Sequence, residues 1–210
     1  MKFRLMRPNM AIRRKRIQLS REVVHDLKEV SKLSSSKQWE FAGNIEYKNF
    51  KFSKPNIVTS KKRNRVEGPE IDEVWYSEMS FHTHPGIGHH DGTICQNTPI
   101  FATLPSNADF EAYIKGFPEM QVNIICDSHG YYVINILKSA YMRASPLPEA
   151  VHEYMRKVRS KPFMRICVFS DNGIEYFQTT VKNWKREINE YIDPEMMKLF
   201  GISIRYYGYE

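Results

Sequence analysis

Two apolar segments in the middle of the chain are separated by three residues. They are QVNIICD at 121–127 and YYVINIL at 131–137, with Ser128-His129-Gly130 between them. Short connections that contain glycine typically join neighbouring antiparallel strands. We therefore predict a β-hairpin at this point, and hence a sheet to which the other elements must be added.

Helices and further strands are predicted on both sides of this hairpin. A helix is predicted at about 21–33, which the run SSSK at 34–37 is expected to end, and one of its faces is apolar: Val23, Val24, Leu27, Val30 and Leu33. Alternation and turn signals predict the other elements. These are strands within 39–52 and at 73–84, a loop or exposed hairpin tip at 53–72, a long loop at 86–104, helices at 106–116, 148–159 and 182–192, strands at 163–170 and 174–180 around a turn at 171–173, and a last strand or partner-binding tail at the terminal IRYYGYE.

This mixed order, with mostly hairpin connections, predicts the α+β class. A chain of 210 residues can bury a sizeable core, and one domain with a substantial extension is the expected organisation. Two prolines in RASPLPEA, 143–150, indicate a linker or domain edge. We predict a basic arm at 1–16, a main domain at 17–140 and a C-terminal extension at 141–210 that packs on the core.

The charge is unevenly distributed. Residues 1–65 contain 18 Lys and Arg against 5 Asp and Glu, whereas the remaining residues contain 13 against 19. This asymmetry predicts a surface for nucleic acid or another acidic partner in the N-terminal half, unless the basic runs are simply solvated loops. The run RRKR at 13–16 would also serve as a nuclear localisation signal. No helix-turn-helix, zinc-finger or RNP motif accompanies it.

Cysteine usage and hydropathy indicate the compartment. The three cysteines, Cys95, Cys126 and Cys167, are scattered and show no C-x-x-C spacing. No apolar run approaches the roughly 18 residues that cross a bilayer, and MKFRLMRPNMAIRRKR has no apolar core of a signal peptide. We expect a reducing compartment, cytoplasm or nucleus, and no membrane association.

The segment FHTHPGIGHHDG, 81–92, predicts a metal site. His82 and His84 are two apart on a predicted strand, so both point to one side, about 6.6 Å apart along it. Catalytic zinc commonly takes two histidines, one carboxylate and a water molecule. Asp91 is near in sequence but lies in a glycine-rich segment. Asp109 is held on the first turn of a predicted helix, and either aspartate can be the third ligand.

Three separated motifs occur together in this chain: WEFAG at 39–43, HTHP at 82–85 and PSNAD at 105–109. In this order they resemble the JAMM (MPN+) metallopeptidases, whose pattern is a glutamate in an early strand, then H-[ST]-H-P, then S-x-x-D. The resemblance covers roughly residues 17–140. It implies an MPN/JAMM-like mixed sheet flanked by helices, followed here by a C-terminal α/β extension. It also implies one Zn²⁺ per chain, held by His82, His84 and Asp109, with water as the fourth ligand.

The resemblance assigns roles to two more residues. Glu40 would act as general base and then general acid, with Glu46 as the alternative on the same face of a regular strand. Ser106 would stabilise the oxyanion of the tetrahedral intermediate. The implied reaction is hydrolysis of an isopeptide bond between ubiquitin, or a ubiquitin-like protein, and a lysine. The extended C-terminal tail of such a substrate would pair with an edge strand beside the cleft.

One departure from the family pattern and three rival interpretations remain. Residues 85–105 form a longer insertion than the family has, and they contain His89, His90, Asp91 and Cys95. These side chains would bind a second zinc ion or form a polar lid over the cleft.

Other functions of the chain are also open. The chain would otherwise be a catalytically inactive MPN-type scaffold or a nucleic-acid-associated protein. Some relatives cut small sulfur-carrier proteins or low-molecular-weight conjugates, so the substrate is open too.

Overall fold

A computed structural model describes residues 18–63, 65–67, 71, 74, 77–85, 104–137, 147–159 and 182–209. The predictions for the basic arm at 1–16, for most of the 85–105 insertion and for the elements at 163–180 lie outside these residues. Among the described residues, no helix combines the length and the apolar character needed to cross a bilayer.

Helices and strands occur in mixed order along the chain, and the predicted α+β class is confirmed. Six strands form one mixed sheet in the order β4-β1-β5-β6-β7-β8, and two form a separate hairpin, β2-β3. The strands are β1 Ala42–Asn44, β2 Tyr47–Lys48, β3 Lys51–Phe52, β4 Asn56–Val58, β5 Met79–Thr83, β6 Val122–Cys126, β7 Gly130–Ile136 and β8 Ile202–Gly208. The α-helices are α1 Arg21–Lys37, α2 Asn107–Gly116, α3 Leu147–Arg159 and α4 Asp193–Phe200, and a π-helical segment, Glu187–Ile192, leads into α4.

The central hairpin is confirmed, since β6 and β7 pair antiparallel with Ile124 opposite Val133. The helices predicted at 106–116 and 148–159 are confirmed as α2 and α3, and the terminal IRYYGYE contributes the last strand, β8. The helix predicted at 182–192 is present but continues through α4 to Phe200. Pro194 does not end it, because this proline lies at the junction where the π-helical segment passes into α4 and not within a regular α-helix.

The predicted end of the first helix was wrong. The run SSSK at 34–37 lies within α1, which ends at Gln38 in the left-handed conformation, with φ of 56°. Serine is tolerated here because its hydroxyl finds backbone partners: the hydroxyl of Ser34 donates to the carbonyl of Trp39, and that of Ser36 to the carbonyl of Leu33. The helix therefore reaches the chain segment that leads into β1.

Two strand predictions also needed correction. The strand predicted at 73–84 begins only at Met79, because Val74 is helical and its carbonyl accepts a hydrogen bond from Ser77, which closes a turn. The stretch 39–52 is divided into β1, β2 and β3, since Asn49 and Phe50 form a tight turn with φ of 53° and 63°. In the described part of 53–72, which was predicted as a loop or exposed hairpin tip, Asn56–Val58 form the strand β4.

The sheet separates two hydrophobic clusters. On one face, Val23, Leu27 and Val30 of α1 pack near Ile124 of β6. On the other face, side chains of α2, α3 and α4 share a cluster with Ile125, the next residue of β6. Successive side chains of a strand point to opposite faces, which explains why neighbours in β6 belong to different clusters. The fold is thus helix, sheet and helices in three layers.

Strands β5 and β6 are parallel neighbours, and α2 lies in the connection between them. This arrangement brings the carboxyl end of β5 and the N-terminal end of α2 to the same edge of the sheet. The C-terminal segment joins the same structure, because β8 pairs antiparallel with β7 and Trp184 Nε1 donates to the Tyr132 hydroxyl at 2.8 Å. The division into a domain at 17–140 and an extension at 141–210 stays a prediction.

Candidate metal centre

The two histidines of the HTHP motif lie at the carboxyl end of β5 and face α2. Thr83, between them, points to the opposite face, where its hydroxyl donates to the hydroxyl of Ser34 in α1. The alternation of a β-strand therefore directs both imidazoles to one side, as predicted. Their Nε2 atoms are 3.1 Å apart.

Asp109 completes a group of three side chains. It lies in the first turn of α2, where its carboxylate Oδ2 accepts a hydrogen bond from the Ser106 amide at 2.6 Å. Its Oδ1 is 3.4 Å from Nε2 of His82, and its Oδ2 is 3.6 Å from Nε2 of His84. One ligand atom from each residue lies within 4.8 Å of the others, so the group can hold a metal ion. The side chains are 14%, 21% and 18% exposed for His82, His84 and Asp109.

The electrostatics of the group favour a cation at its centre. Burial by itself lowers the pKa of His82, but the carboxylates of Asp109 and Glu40 outweigh burial and raise that pKa above its usual value. Burial would raise the pKa of Asp109, yet His82 and His84 hold that pKa far below its usual range. The carboxylate is thus held ionised next to positive charge, which is the state in which it binds a metal ion.

Glu40 lies beside this group, two residues before β1 rather than within it. Burial raises the pKa of its carboxyl group above the usual value, and Asp109 adds to the rise, while His82 and His84 act in the opposite direction. These charge interactions place the carboxyl group of Glu40 within electrostatic reach of all three candidate ligands. A carboxyl group with a raised pKa next to a metal site is suited to accept and return a proton.

Glu46, the alternative to Glu40, lies in a different environment. The regular strand that would place both glutamates on one face ends at Asn44, and Glu46 is in the turn before β2. Its side chain is 55% exposed and pairs with Lys48, with 2.8 Å between Oε2 and Nζ. The geometry therefore favours Glu40 for proton transfer.

Backbone contacts hold the segment around Glu40 in place, and the sequence analysis did not find them. The Glu40 amide donates to the carbonyl of Lys62 at 2.8 Å, and the Glu40 carbonyl accepts from the Thr59 hydroxyl at 2.7 Å. The Phe41 amide donates to the hydroxyl of Thr83 at 3.0 Å. Thr83 is fully buried. Its position between His82 and His84 could have indicated that its hydroxyl faces the core and holds a neighbouring segment.

Ser106 is the N-cap of α2 and is exposed. Its hydroxyl accepts a hydrogen bond from the Asp109 amide at 3.2 Å, which together with the bond from the Ser106 amide to Asp109 forms a capping box. Accepting a bond occupies a lone pair and leaves the hydroxyl proton available to a substrate oxygen. The same residue thus fixes the start of α2 and presents a donor beside the candidate ligands.

Two more side chains were missed in the sequence, one that contacts a candidate ligand and one that holds the segment beside Ser106. The hydroxyl of Tyr113 is 3.1 Å from Nδ1 of His82, and Arg159 of α3 donates to the backbone carbonyl of Pro105, next to Ser106. Tyr113 follows Asp109 by four residues on α2, a spacing that places both on one face of a helix and could have indicated the contact. Arg159 comes from a distant part of the chain, and no local pattern indicates it.

The insertion contains four more residues that could bind a metal ion, and all four lie outside the described residues: His89, His90, Asp91 and Cys95. Asp109 therefore is the carboxylate that the described part of the chain brings to His82 and His84. Comparison with known proteins adds no family name: no protein-family model matches the chain, and no curated protein matches it. The chemistry of the site follows from its donor set, which is two imidazoles and a carboxylate with a second, partly buried carboxyl group beside them.

Proposed function

We propose that the chain is a zinc-dependent hydrolase of isopeptide bonds, of the JAMM type, which removes ubiquitin or a ubiquitin-like protein from its conjugates. One observation carries the proposal: the Nε2 atoms of His82 and His84 are 3.1 Å apart, and the carboxylate of Asp109 lies 3.4 Å from the first through Oδ1 and 3.6 Å from the second through Oδ2. These residues are the ones that the JAMM resemblance would place on the metal. Glu40, which interacts electrostatically with all three residues, and Ser106, the N-cap of the helix that carries Asp109, support the proposal as the residues to which the same resemblance assigns catalytic roles.

The distances suit a small tetrahedral ion. Ligand atoms about 2.0–2.1 Å from a tetrahedral zinc ion lie roughly 3.3–3.4 Å from one another. The observed separations, each measured to the nearer carboxylate oxygen, lie between 3.1 and 3.6 Å, so the three side chains suit a single zinc ion. Two imidazole nitrogens and one carboxylate oxygen are also a donor set that zinc accepts in hydrolytic sites and that calcium or magnesium does not favour.

A bound zinc ion supplies Lewis acidity and lowers the pKa of a coordinated water molecule towards neutrality. Glu40 would take the proton of the attacking water and deliver it to the leaving amine, since burial raises the pKa of its carboxyl group above the usual value and a raised pKa helps the group to hold the proton between the two transfers. The hydrogen bonds to Lys62 and Thr59 hold the backbone of Glu40, so that its carboxyl group does not need to be ordered during the reaction.

Ser106 would supply the second donor to the substrate oxygen. Its hydroxyl proton is not used by the capping box, and its position is fixed because the capping box holds its oxygen against Asp109. A preorganised donor of this kind stabilises the negative charge that develops on the carbonyl oxygen. The helix start thus carries both a metal ligand and the oxyanion donor.

The substrate tail would add to the sheet at β4. In the described part of the sheet, β4 and β8 are the two terminal strands, and β4 is the one that pairs with β1, the strand directly after Glu40. Thr59, the residue after β4, donates to the backbone of Glu40, so an extended peptide paired with β4 runs towards the candidate catalytic carboxyl group. The extended C-terminal tail of a ubiquitin-like protein has the required form.

Elemental analysis of protein purified without added metal or chelator tests the metal site. We expect one zinc ion per chain, lost in His84→Ala and in Asp109→Ala and kept in Glu40→Gln. Two ions would indicate a second site in the 85–105 insertion. A well-folded protein without zinc, and unable to bind added zinc, would contradict the proposal and favour an inactive scaffold.

Cleavage assays then test the reaction and the substrate class. Linked ubiquitin chains, conjugates of ubiquitin-like proteins and a small isopeptide are incubated with the zinc-loaded protein and with Glu40→Gln. Cleavage by the first and not by the second supports the proposal. A zinc-loaded protein that cleaves none of the three would show that the site binds metal for another purpose, and cleavage of the small isopeptide alone would contradict the ubiquitin-like substrate.

A further inference from the structure

Tyr113 is fixed behind the metal ligand His82. It lies on α2 four residues after Asp109, its side chain is 4% exposed, and its hydroxyl oxygen is 3.1 Å from Nδ1 of His82. The other ring nitrogen of His82, Nε2, faces Asp109 and His84. The imidazole is therefore held from both of its nitrogens by one helix.

The hydrogen bond has a definite direction if His82 binds a metal ion. A metal-binding Nε2 must present a lone pair, so the neutral ring carries its hydrogen on Nδ1. The oxygen of Tyr113 is then the acceptor of that N–H. We propose that Tyr113 is a positioning residue for zinc binding, which orients the His82 ring and keeps Nε2 free for the ion. The inference rests on the proposed zinc site.

A second tyrosine shows how a purely structural role would differ. Tyr132 of β7 is also buried and belongs to the same hydrophobic cluster as Tyr113. Its hydroxyl accepts a hydrogen bond from Trp184 Nε1 at 2.8 Å, between two core side chains. Both phenols satisfy a buried polar group. The two tyrosines differ in their partner: Tyr113 bonds to a candidate metal ligand, whereas Tyr132 bonds to a core tryptophan.

The same helix therefore acts on two ligands. Asp109 in the first turn of α2 offers its carboxylate directly, and Tyr113 in the next turn orients His82. Residues that hydrogen-bond to metal-binding histidines raise the affinity for the metal because the ring does not have to be ordered on binding. Removal of the hydroxyl should thus weaken zinc binding without removing any ligand.

The test compares Tyr113→Phe with Tyr132→Phe in the full chain. Each variant is stripped of metal and titrated with zinc in competition with a chelating dye. We expect zinc affinity to fall by about 10-fold to 100-fold in Tyr113→Phe and to stay at the wild-type value in Tyr132→Phe, although both lose a buried hydrogen bond. Equal affinities in wild type and Tyr113→Phe would overturn the inference while leaving the zinc site intact. Absence of zinc binding by the wild type would instead overturn the proposed function.

A second measurement needs no variant that might fail to fold. Nitrogen-15 NMR of the histidine side chains in the zinc-loaded wild type reports which nitrogen of His82 carries hydrogen. We expect a protonated Nδ1 whose hydrogen is protected from exchange by the Tyr113 oxygen. A zinc-bound Nδ1 with hydrogen on Nε2, or a rapidly exchanging Nδ1 hydrogen, would contradict the assigned role.

Discussion

Arg159 donates a hydrogen bond through Nη2 to the carbonyl oxygen of Pro105, at 2.6 Å. A second bond runs from Nη1 to Oδ1 of Asn107, at 3.1 Å. Pro105 and Asn107 flank Ser106, the proposed oxyanion donor, so the last residue of α3 holds the chain on both sides of it. A side chain from the C-terminal part of the chain thereby helps to define the start of α2.

Replacement of Arg159 by alanine should lower the rate of isopeptide cleavage and leave zinc content unchanged. The segment 105–107 loses two bonds from a charged donor, and because Arg159 is partly exposed we expect a stability loss of roughly 1–2 kcal/mol. Arg156→Ala is the control, since Arg156 lies on the same helix with 78% exposure and reaches Glu153 only at 4.0 Å. Equal cleavage rates for the two variants would show that Arg159 does not position Ser106.

Replacement of Glu40 by glutamine should abolish most of the activity and keep the zinc. Glutamine has nearly the same shape but cannot accept and return a proton, and loss of a general base typically lowers the rate by about 10²–10⁴-fold. Single-turnover cleavage at saturating protein measures the effect. Glu46→Gln, which removes an exposed carboxylate paired with Lys48, should cleave at the wild-type rate. The opposite order of the two variants would transfer the catalytic role to Glu46.

Replacement of Ser106 by alanine should reduce both stability and turnover. The N-cap is lost at a cost of about 1 kcal/mol, and loss of an oxyanion donor lowers kcat by roughly 10²–10³-fold. Ser20→Ala separates the two effects, because Ser20 caps α1 by accepting a bond from the Val23 amide. Urea unfolding should give similar losses for both variants. A kcat that falls equally in both would assign the effect to stability alone.

Alanine at Gly43 should prevent the close contact of β1 with β4. A Cβ atom there would lie 1.9 Å from the carbonyl oxygen of Asn56 and 2.5 Å from the ring of Phe81. Overpacking against backbone cannot be relieved by a side-chain rotation, so we expect a loss of at least about 3 kcal/mol in the free energy of unfolding. Gly208→Ala, whose Cβ would meet its nearest neighbour at 3.9 Å, should be nearly neutral. Similar unfolding midpoints for the two variants would contradict the β1-β4 register.

The protein should lose stability as the pH rises above about 10. Burial, together with the neighbouring Tyr207 and Cys126, raises the pKa of Tyr131 from 10.0 to about 12. A raised pKa means that the unfolded state releases the proton first, so the contribution of Tyr131 to stability is complete below pH 10 and is lost as the pH rises towards 12. Unfolding in urea at several alkaline pH values measures this slope.

Tyr131→Phe should make that alkaline slope shallower, since the side chain no longer ionises. Tyr191→Phe, at a ring that is 57% exposed, is the control and should keep the wild-type slope. If Tyr131→Phe left the slope unchanged, the phenol would not be the buried neutral group that the packing against Tyr207 implies. Both variants keep the aromatic ring, so a difference between them reports on the hydroxyl.

Local patterns were sufficient for much of the fold. Apolar periodicity predicted the start of α1 and most of its length. Capping signals predicted α2 from its first residue, and two apolar runs predicted the β6-β7 hairpin. They failed in two places. Ser34 and Ser36 remain helical because their hydroxyls donate to carbonyls a few residues away, and the short β4 forms because Gly43 allows the close approach of a strand from another part of the chain.

The sequence by itself determined which residues of the candidate site lie close together within one strand or at one helix end. His82 and His84 share a strand face, and Ser106 and Asp109 form a capping box, because both relations follow from fixed backbone periods. The tertiary structure alone decided how these pairs meet. The parallel pairing of β5 with β6 brings the start of α2 to the end of β5, and the separation of 3.4 Å between His82 and Asp109 results from that packing. Contacts between residues distant in the chain, such as Arg159 with Pro105, depend on how the elements pack, and no local period encodes them.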